Sequence, residues 1–230
     1  MKYFFLICAR GGSKGIKNKN LKKINNIPLV GWSIKIAKKL KKIGKVAVNS
    51  DSKKILNYAK KSNVDFLIKR PLNLAKDSSK ELDVWKHSIN KLKELKNLKT
   101  MPDTLISLPP TSPARSIIDI EKCIKKYETK KYDIVISITP SYRNPYFNMV
   151  EITKNDNVKI CIKKKKYFNR QEAPKTYDIS TICYISNIKY IEQAKNIFDG
   201  KVGYVIVPKE RSIDIDDITD LKISKFFLEK

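Results

Sequence analysis

Short apolar runs alternate with segments of helical periodicity along most of the chain, and this alternation restricts the possible folds more than any other feature of the sequence. Runs rich in β-branched and aromatic residues predict strands at residues 3–9, 46–50, 65–68, 104–108, 134–138, 180–185 and 202–207. Apolar residues at helical spacing predict helices at residues 29–40, 52–61, 80–95, 117–127, 190–198 and 218–228. Strand–helix–strand units of this kind favour an α/β fold, with a mostly parallel sheet flanked by helices on both faces.

One segment departs from the alternation. Between residues 141 and 167 aromatic residues mix with turn residues and a basic run at residues 163–166, which indicates an inserted β-hairpin or arm. No internal repeat or low-complexity linker interrupts the chain, so we expect residues 1–230 to form one domain that carries this insertion. Ligands of such sheets bind beyond the carboxyl ends of the strands, where residues 10–20, Ser50–Asp51 and residues 109–115 are expected to meet.

The charge balance allows two interpretations. The formal net charge is +26, which favours polyanionic partners such as nucleic acid, anionic lipid or phosphate-bearing small molecules. However, lysine is spread along the whole chain instead of being concentrated on one segment, which is typical of solvated helix faces. The hydrophobic content of 41% is that of a folded protein, which excludes general disorder.

Cysteine and histidine usage excludes several kinds of site. The four cysteines are scattered with no CxxC pair, and His87 is the only histidine, so neither a zinc cluster nor a disulfide framework is expected. Catalysis by a Cys–His or Ser–His–Asp arrangement would depend on His87, which lies in a predicted helix. The first apolar run has seven residues, too few to cross a bilayer, so we expect a cytoplasmic protein that does not enter the membrane.

A glycine-rich cationic loop follows the first predicted strand. Arg10, Gly11, Gly12, Ser13 and Lys14 come directly after it, and Lys19 and Asn20 follow within the same eleven residues. Glycines let backbone amides approach an anion, and the cations and hydrogen-bond donors suit a triphosphate. The loop matches neither GxxxxGK[ST] nor GxGxxG, so a solvated lysine-rich turn stays an alternative.

Two carboxylates lie close together near the C-terminus, in the sequence SIDIDD. In an extended segment Asp214 and Asp216 point to the same side, and their mutual repulsion is relieved by a cation. Mg²⁺ prefers such carboxylate oxygens together with phosphate oxygens of a substrate. The alternative is an acidic cap for the helix that begins at residue 218, and Asp217 suits that role.

Two further loops offer polar groups. The sequence PTSPARS follows a predicted strand, and its prolines stiffen a loop that presents Thr111, Ser112 and Arg115. The sequence RQEAPKTY offers a guanidinium group at Arg170 and an amide at Gln171, and an arginine of this kind can bind a carboxylate with two hydrogen bonds. Each motif taken alone is equally compatible with a structural role.

Taken in order, the sequences ARGGSKGIKNKNLK, PLVGWSI, NSDSKKI, KRPLNLAKD, PTSPAR, RQEAPKTY and ERSIDIDDITDL resemble one family. It is the CMP-sialic acid synthetases (acylneuraminate cytidylyltransferases), and more broadly the cytidylyltransferases that activate 2-keto-3-deoxy sugar acids. The resemblance runs from residue 4 to about residue 221. It implies a Rossmann-like nucleotidyltransferase fold and a homodimer in which residues 141–167 are an arm exchanged between subunits.

The resemblance also implies a reaction and a set of site residues. CMP passes from CTP to the anomeric hydroxyl of the sugar acid with release of pyrophosphate, and magnesium is the cofactor. The implied nucleotide ligands are Arg10, Gly11, Ser13, Lys14, Lys19, Asn20 and Arg70, of which Arg10 and Lys19 are catalytic together with Asp216. The implied metal ligands are Asp214 and Asp216, and the implied sugar-acid ligands are Thr111, Arg170, Gln171 and Tyr177.

Two departures from the family pattern concern the sugar. Pro109 stands where the family often has glutamine, which removes a polar contact, and Asp178 follows Tyr177 where the family commonly has arginine. An acid beside the sugar pocket would repel a carboxylate but bind an amino or hydroxyl group. A relative of N-acetylneuraminate, such as legionaminic acid, pseudaminic acid or an amino-substituted octulosonate, is therefore at least as good a candidate.

Two other hypotheses remain open from the sequence. The same fold could serve a nucleotidyltransferase for another base or sugar. A basic nucleic-acid-binding protein would explain the charge, but not the paired aspartates or the proline loop, and we expect no nucleic-acid partner.

Overall fold

The computed structural model describes residues 2–95, 100–163 and 165–229. The strands are β1 (Tyr3–Cys8), β2 (Lys23–Ile24), β3 (Ile27–Pro28), β4 (Gly44–Ser50), β5 (Phe66–Lys69), β6 (Thr104–Ser107), β7 (Ile134–Pro140), β8 (Val150–Ile152), β9 (Val158–Ile160), β10 (Tyr177–Asn187) and β11 (Val202–Ile206). The helices are α1 (Leu29–Lys39), α2 (Lys53–Lys61), α3 (Glu81–Lys93), α4 (Ile117–Glu128), α5 (Ile188–Gln193) and α6 (Ile218–Leu228). Three short 3₁₀ turns lie at Lys19–Leu21, Leu72–Leu74 and Lys209–Arg211.

Seven strands form one sheet in the order β11-β7-β10-β6-β1-β4-β5. All neighbouring pairs are parallel except those of β10, which runs antiparallel to both β6 and β7. The predicted α/β fold with a mostly parallel sheet is therefore confirmed. The strands β2 and β3 form a separate hairpin in front of α1.

The alternation of side chains along β1 produces a core on each face of the sheet. Phe5 and Ile7 pack with residues of α1, α2 and α4 on one face, and Phe4 and Leu6 pack with Trp85 and other residues of α3 and α5 on the other. These four β1 side chains are fully buried. An apolar run buried on both faces is what a central parallel strand requires.

Backbone hydrogen bonds bring the loops after four strands to one edge of the sheet. The amide of Ala9 donates to the carbonyl of Asn49 (3.0 Å), that of Arg70 to Ser50 (2.8 Å), and that of Leu108 to Leu6 (2.9 Å). The amide of Ile215 donates to the carbonyl of Thr111 (2.9 Å), which joins the acidic C-terminal segment to the proline loop. The predicted meeting of these loops at one edge is confirmed.

Two parts of the structure differ from the sequence prediction. The helix predicted at residues 190–198 is α5, which begins two residues earlier because the Asn187 side chain accepts a hydrogen bond from the amide of Lys189. It ends at Gln193, since the Asp199 carboxylate accepts hydrogen bonds from the amides of Lys195 and Asn196 and forms a turn there. The strand predicted at residues 180–185 extends over the eleven residues of β10.

In the segment 141–167, β8 and β9 pair as a short antiparallel hairpin. Its role as a dimerisation arm stays a prediction, as does the assignment of residues 1–230 to one domain, and Lys164 of the basic run lies outside the described residues. The four cysteines are free thiols, of which Cys123 and Cys183 are buried and Cys8 and Cys161 are half-buried. Within residues 2–95, 100–163 and 165–229, no helix is both long enough and apolar enough to cross a bilayer.

Candidate active site

A cavity of about 310 Å³ opens at the edge of the sheet where the loops meet. Its walls come from the loop after β1, the end of β5, the segment before α3, the proline loop and the middle of β10. The polar residues that line it include Arg10, Ser13, Lys19, Asn20, Arg70, Asp77, Ser79, Glu81, Thr111 and Thr181. Six of the residues predicted from the sequence thus lie around one space: Arg10, Ser13, Lys19, Asn20, Arg70 and Thr111.

The loop after β1 is held in shape by its own polar groups. The side chain of Asn20 donates to the carbonyl of Arg10 (2.9 Å), which closes the loop, and the amide of Gly11 donates to the Asp51 carboxylate (2.8 Å). A Cβ at Gly15 would lie 2.4 Å from the carbonyl oxygen of Asp216, so only glycine allows this close approach to the acidic segment. Gly11 therefore supports the loop through Asp51, and its amide has a partner within the protein.

Two of the predicted phosphate ligands are paired with a carboxylate. Arg10 and Lys14 both form ion pairs with Asp77, with Lys14 Nζ 2.8 Å from Asp77 Oδ2. Hydrogen bonds from Lys14 and Arg10 hold the pKa of Asp77 below its usual range. Lys14 is largely exposed, whereas Arg10 also lines the cavity. An anionic group therefore already attracts these cations, as a phosphate would.

Lys19 connects the cationic loop to the acidic segment. Its Nζ donates to the carbonyl of Ile215 (2.6 Å) and to Asp216 Oδ1 (2.9 Å), and only 15% of its side chain is exposed. The ammonium group is thus fixed between the cavity and the carboxylates. A positioned cation of this kind can stabilise charge that develops on a phosphoryl oxygen or on a leaving pyrophosphate.

Arg70 is oriented by a residue that sequence reasoning did not identify. Its Nε donates to Asn49 Oδ1 (2.7 Å) and its Nη2 to the carbonyl of Asn49 (3.1 Å), and both residues are buried. The side-chain nitrogen of Asn49, Nδ2, in turn donates to Ser88 Oγ (2.8 Å) and lies 3.1 Å from His87 Nδ1. His87 therefore stands behind Arg70, and burial together with the charges of Lys91 and Arg70 lowers its pKa.

Asn20 carries the clearest sign of a ligand. Its Nδ2 bonds to Arg10, but its Oδ1 is buried and, within the described residues, has no hydrogen-bond partner. A buried unsatisfied acceptor costs about 1–3 kcal/mol, so such an atom at a cavity wall indicates a donor that a ligand supplies.

Asp214 and Asp216 occupy the same short segment but have different surroundings. Burial raises the pKa of Asp214, and the neighbouring Asp216 raises it further, against hydrogen bonds from Thr111 and Thr181 and the charge of Lys19. Among the described residues no three His, Cys, Asp or Glu side chains could hold a metal ion by themselves. Two carboxylates with oxygen donors nevertheless fit Mg²⁺, because this ion normally completes its shell with substrate phosphate oxygens and water.

The helix-cap alternative for the acidic segment applies to a different residue. Asp217 accepts hydrogen bonds from the amides of Thr219 (2.7 Å) and Asp220 (3.0 Å), and Asp220 in turn accepts from the amide of Asp217. Asp217 and Asp220 thus form a capping box for α6. The cap does not use the carboxylates of Asp214 and Asp216.

The proline loop is held from inside by Arg115. The guanidinium is buried, and it donates to the carbonyls of Ser112, Pro109 and Thr181. Burial lowers the pKa of Arg115 to about 10. The expectation that this loop presents Arg115 to a ligand is wrong, because three carbonyl groups on the protein side bind it. Ser112 is buried as well, between Thr181 and the carbonyl of Ile213.

The residues predicted to bind the sugar acid do not share one cavity. Thr111 lines the first cavity, whereas Arg170, Gln171 and Tyr177 line another of about 410 Å³, where Arg170 donates to the carbonyl of Ser141. A third cavity, of about 770 Å³, is lined by Asp178 and Asp214 together with apolar side chains of α6. Asp214 therefore lines the third cavity, and its neighbour Ile215 is hydrogen-bonded to Thr111, which lines the first.

Comparisons with known proteins show what the chain is similar to. The family model described as Cytidylyltransferase matches residues 4–230. Post-translational flagellin modification protein B of Campylobacter coli is 34% identical over 97% of this chain and 94% of its own length. The CMP-N,N'-diacetyllegionaminic acid synthase of Campylobacter jejuni is 36% identical over 96% of this chain and 93% of its own length.

More distant similarities extend to other enzymes. The N-acylneuraminate cytidylyltransferase of Escherichia coli is 29% identical over 97% of this chain and 51% of its own length. Among solved structures, a CMP:2-keto-3-deoxy-manno-octonic acid synthetase complexed with CTP matches with a TM-score of 0.72 at 12% identity, covering 100% of this chain and 99% of that one. At this identity the structural match establishes the fold, a Rossmann-like nucleotidyltransferase fold.

Proposed function

The chain belongs to the cytidylyltransferase family, and from this premise we propose that it transfers CMP from CTP to the anomeric hydroxyl of a 2-keto-3-deoxy sugar acid and releases pyrophosphate. The single observation that carries the proposal is that Lys19, from the cationic loop, lines the first cavity and contacts the acidic segment. Its ammonium group joins the cationic loop to Ile215 and Asp216 at a cavity whose wall holds the unsatisfied acceptor of Asn20. The names of the relatives support a sugar acid as acceptor.

The proposed mechanism is an in-line displacement at the α-phosphorus. Arg10 and Lys19 neutralise charge on the triphosphate, and Lys19 keeps its position through Ile215 and Asp216. When CTP binds, Arg10 must leave the carboxylate of Asp77 and bind a phosphate group instead. The protein thus contributes positioning and electrostatics, with no covalent intermediate on a side chain.

We propose Asp214 and Asp216 as the residues that hold magnesium. Bound there, the ion would supply Lewis-acid polarisation of the α-phosphoryl group and would favour ionisation of the acceptor hydroxyl. The hydroxyl groups of Thr111 and Thr181 favour the ionised form of Asp214, and Lys19 orients Asp216 through a hydrogen bond.

For the acceptor we propose a legionaminate-like nonulosonate, supported by the full-length similarity to the C. jejuni relative. Asp178 suits an amino or hydroxyl substituent in the third cavity, near Asp214. Arg170, Gln171 and Tyr177 line a different cavity of the same chain, so we propose that the enzyme is a homodimer in which they serve a neighbouring copy's site. Cytoplasmic location stays a prediction.

Pyrophosphate release with CTP and magnesium, measured against a panel of 2-keto-3-deoxy sugar acids, tests the proposal. Release should require CTP and one acid of the panel, with UTP and GTP as matched nucleotide controls. If no acid supports turnover while calorimetry still detects CTP binding, the acceptor class is wrong and the nucleotide assignment stands. Absence of both turnover and CTP binding would contradict the proposed function. Tight, salt-dependent binding to nucleic acid instead of CTP would favour the alternative class.

A further inference from the structure

The cavity wall carries a carboxylate that has no cationic partner among the described residues. The proposed mechanism gives this carboxylate no role. Glu81, the first residue of α3, lines the cavity and is exposed to it. Its Oε1 accepts a long hydrogen bond from Ser107 Oγ (3.3 Å), and among the described residues it forms no ion pair. The other acid of the cavity wall, Asp77, is bound by two cations. A carboxylate that no cation neutralises repels a triphosphate, which favours contact of Glu81 with a different part of the ligand.

Glu81 and the cations that we assign to the triphosphate come from different segments of the cavity wall. Arg10, Ser13 and Lys19 come from the loop after β1, whereas Glu81 lies with Leu74, Ser79 and Val84 on the wall formed by the segment before α3 and its first turn. Leu74 and Val84 line the same cavity and add apolar surface of the kind that the flat face of a base requires. Neighbouring protein atoms partly desolvate the carboxyl group at the cavity wall, and this desolvation raises the pKa of Glu81.

Arg70 is a hydrogen-bond donor in the same cavity as the acceptor Glu81. Its charge acts on Glu81, yet among the described residues the two groups form no ion pair, and Asn49 binds the guanidinium through Nε and Nη2. The cavity wall therefore presents a fixed donor and a separate acceptor. The Watson–Crick edge of cytosine presents an amino donor at C4 and acceptors at N3 and O2, whereas uracil has an acceptor oxygen at C4.

We propose that Glu81 accepts a hydrogen bond from the 4-amino group of cytosine, opposite Arg70, and so selects CTP over UTP. The inference rests on the proposed function, because it assigns the base end of that same site. Glu81 is then a specificity-determining residue: its carboxylate has no donor for the O4 of uracil and repels that oxygen. Discrimination by a polar group of this kind is strong, because the wrong ligand leaves it unpaired.

Calorimetric titration of wild type, Glu81→Gln and Glu81→Ala with CTP, UTP and pyrimidin-2-one ribonucleoside triphosphate, which lacks the amino group, tests the proposal. Glutamine can rotate its amide to donate to O4, so Glu81→Gln should reduce the ratio of CTP to UTP affinity at least tenfold. Wild type should bind the analogue at least tenfold more weakly than CTP, and Glu81→Ala should bind the two about equally. Glu94→Gln, on the exposed end of the same helix, is the matched control and should keep the wild-type ratios.

The outcomes separate this inference from the proposed function. If wild type prefers CTP and both Glu81 variants keep the full preference, the inference is wrong and the proposed function stands. The inference is equally wrong if the variants change only the KM for the sugar acid or the magnesium requirement of pyrophosphate release. If wild type itself binds no CTP, the proposed function fails first. Circular dichroism and thermal unfolding show whether each variant is folded, and the Gln variant preserves the volume of the side chain.

Discussion

At the scale of single residues, the acidic segment assigns different roles to adjacent carboxylates. Asp216 lies 2.9 Å from the ammonium of Lys19 at the cavity, whereas Asp217, its neighbour, caps α6. A sequence of alternating aspartates and isoleucines makes this possible, because Ile215 is fully buried and fixes the side from which its neighbours project. The burial of one apolar side chain thus fixes the segment in which Asp216 contacts Lys19 and Asp214 lines the third cavity.

We predict that Asp216→Asn lowers kcat/KM for pyrophosphate release at least 100-fold, since loss of a carboxylate that we propose as a magnesium ligand should cost at least about 3 kcal/mol of transition-state stabilisation. The thermal midpoint should change little, because Asp216 is exposed and its pair with Lys19 adds little to stability. Glu229→Gln, beyond the C-terminal end of α6, is the matched control. Undiminished turnover of Asp216→Asn over a magnesium titration would contradict the metal assignment.

At the scale of secondary-structure elements, an ion pair joins α4 to the segment that leads to the site. Arg211 Nε and Nη2 each lie 2.8 Å from a carboxylate oxygen of Asp119, and only 1% of the Asp119 side chain is exposed. Asp119 also completes the capping box of α4 with Ser116. The pair therefore anchors the Lys209–Arg211 turn three residues before Asp214.

The pair predicts a pH-dependent stability. Burial raises the pKa of Asp119, but hydrogen bonds from Arg211 and Ser116 outweigh it, so the folded-state pKa lies below the unfolded value. The stabilisation is therefore complete above the unfolded pKa of about 4 and is lost as the pH falls through the folded pKa. We expect Asp119→Asn to reduce the free energy of unfolding by about 2 kcal/mol at pH 7, less than for a fully buried pair because Arg211 is partly exposed.

Denaturant unfolding of Asp119→Asn and wild type at pH 7 and pH 3 measures this effect. The difference between the two proteins should be smaller at pH 3 than at pH 7. Glu121→Gln, on the exposed face of the same helix, controls for removal of a charge and should differ from wild type by less than about 0.5 kcal/mol. An equal difference at both pH values would mean that the Asp119 charge is not the source of the stabilisation.

Features that depend on neighbouring residues could be predicted from the sequence, whereas contacts between residues distant along the chain could not. Helix α6 was predicted with its observed bounds, because the cap at Asp217 and the apolar spacing after it are local signals. The roles of Asn49 and Glu81 were not predictable, since Asn49 acts through Arg70, 21 residues away, and Glu81 is bonded to Ser107, 26 residues away. The expectation for Arg115 is wrong for the same reason, because only the folded loop shows that its guanidinium donates to carbonyl groups of the protein.

At the scale of the whole molecule, an apolar face of the β8–β9 hairpin is exposed. Val150 and Ile152 pair with Ile160 and Val158, so the four side chains share one face, and the exposed fractions of Ile152 and Val158 are 78% and 66%. A contiguous apolar face on such a lysine-rich protein is typical of a protein–protein contact. Arg170, Gln171 and Tyr177 also line a different cavity from the one that we propose for the nucleotide, which a dimer that shares its sites would explain.

We predict that the double substitution Ile152→Asp and Val158→Asp converts a homodimer into monomers, because it places two charges in a face that association would bury. Sedimentation velocity at several protein concentrations measures the change, and Lys154→Ser in the turn between β8 and β9 is the matched control.

Because each copy carries a formal charge of +26, mutual repulsion opposes association, and raising the salt from about 0.05 M to about 0.5 M should tighten the wild-type dimer. A dimer that weakens with salt would indicate a contact made by ion pairs, and a monomeric wild type would contradict the shared-site arrangement. If the monomeric variant still binds CTP but loses turnover with the sugar acid, the partner contributes to the acceptor half of the site and not to the nucleotide half.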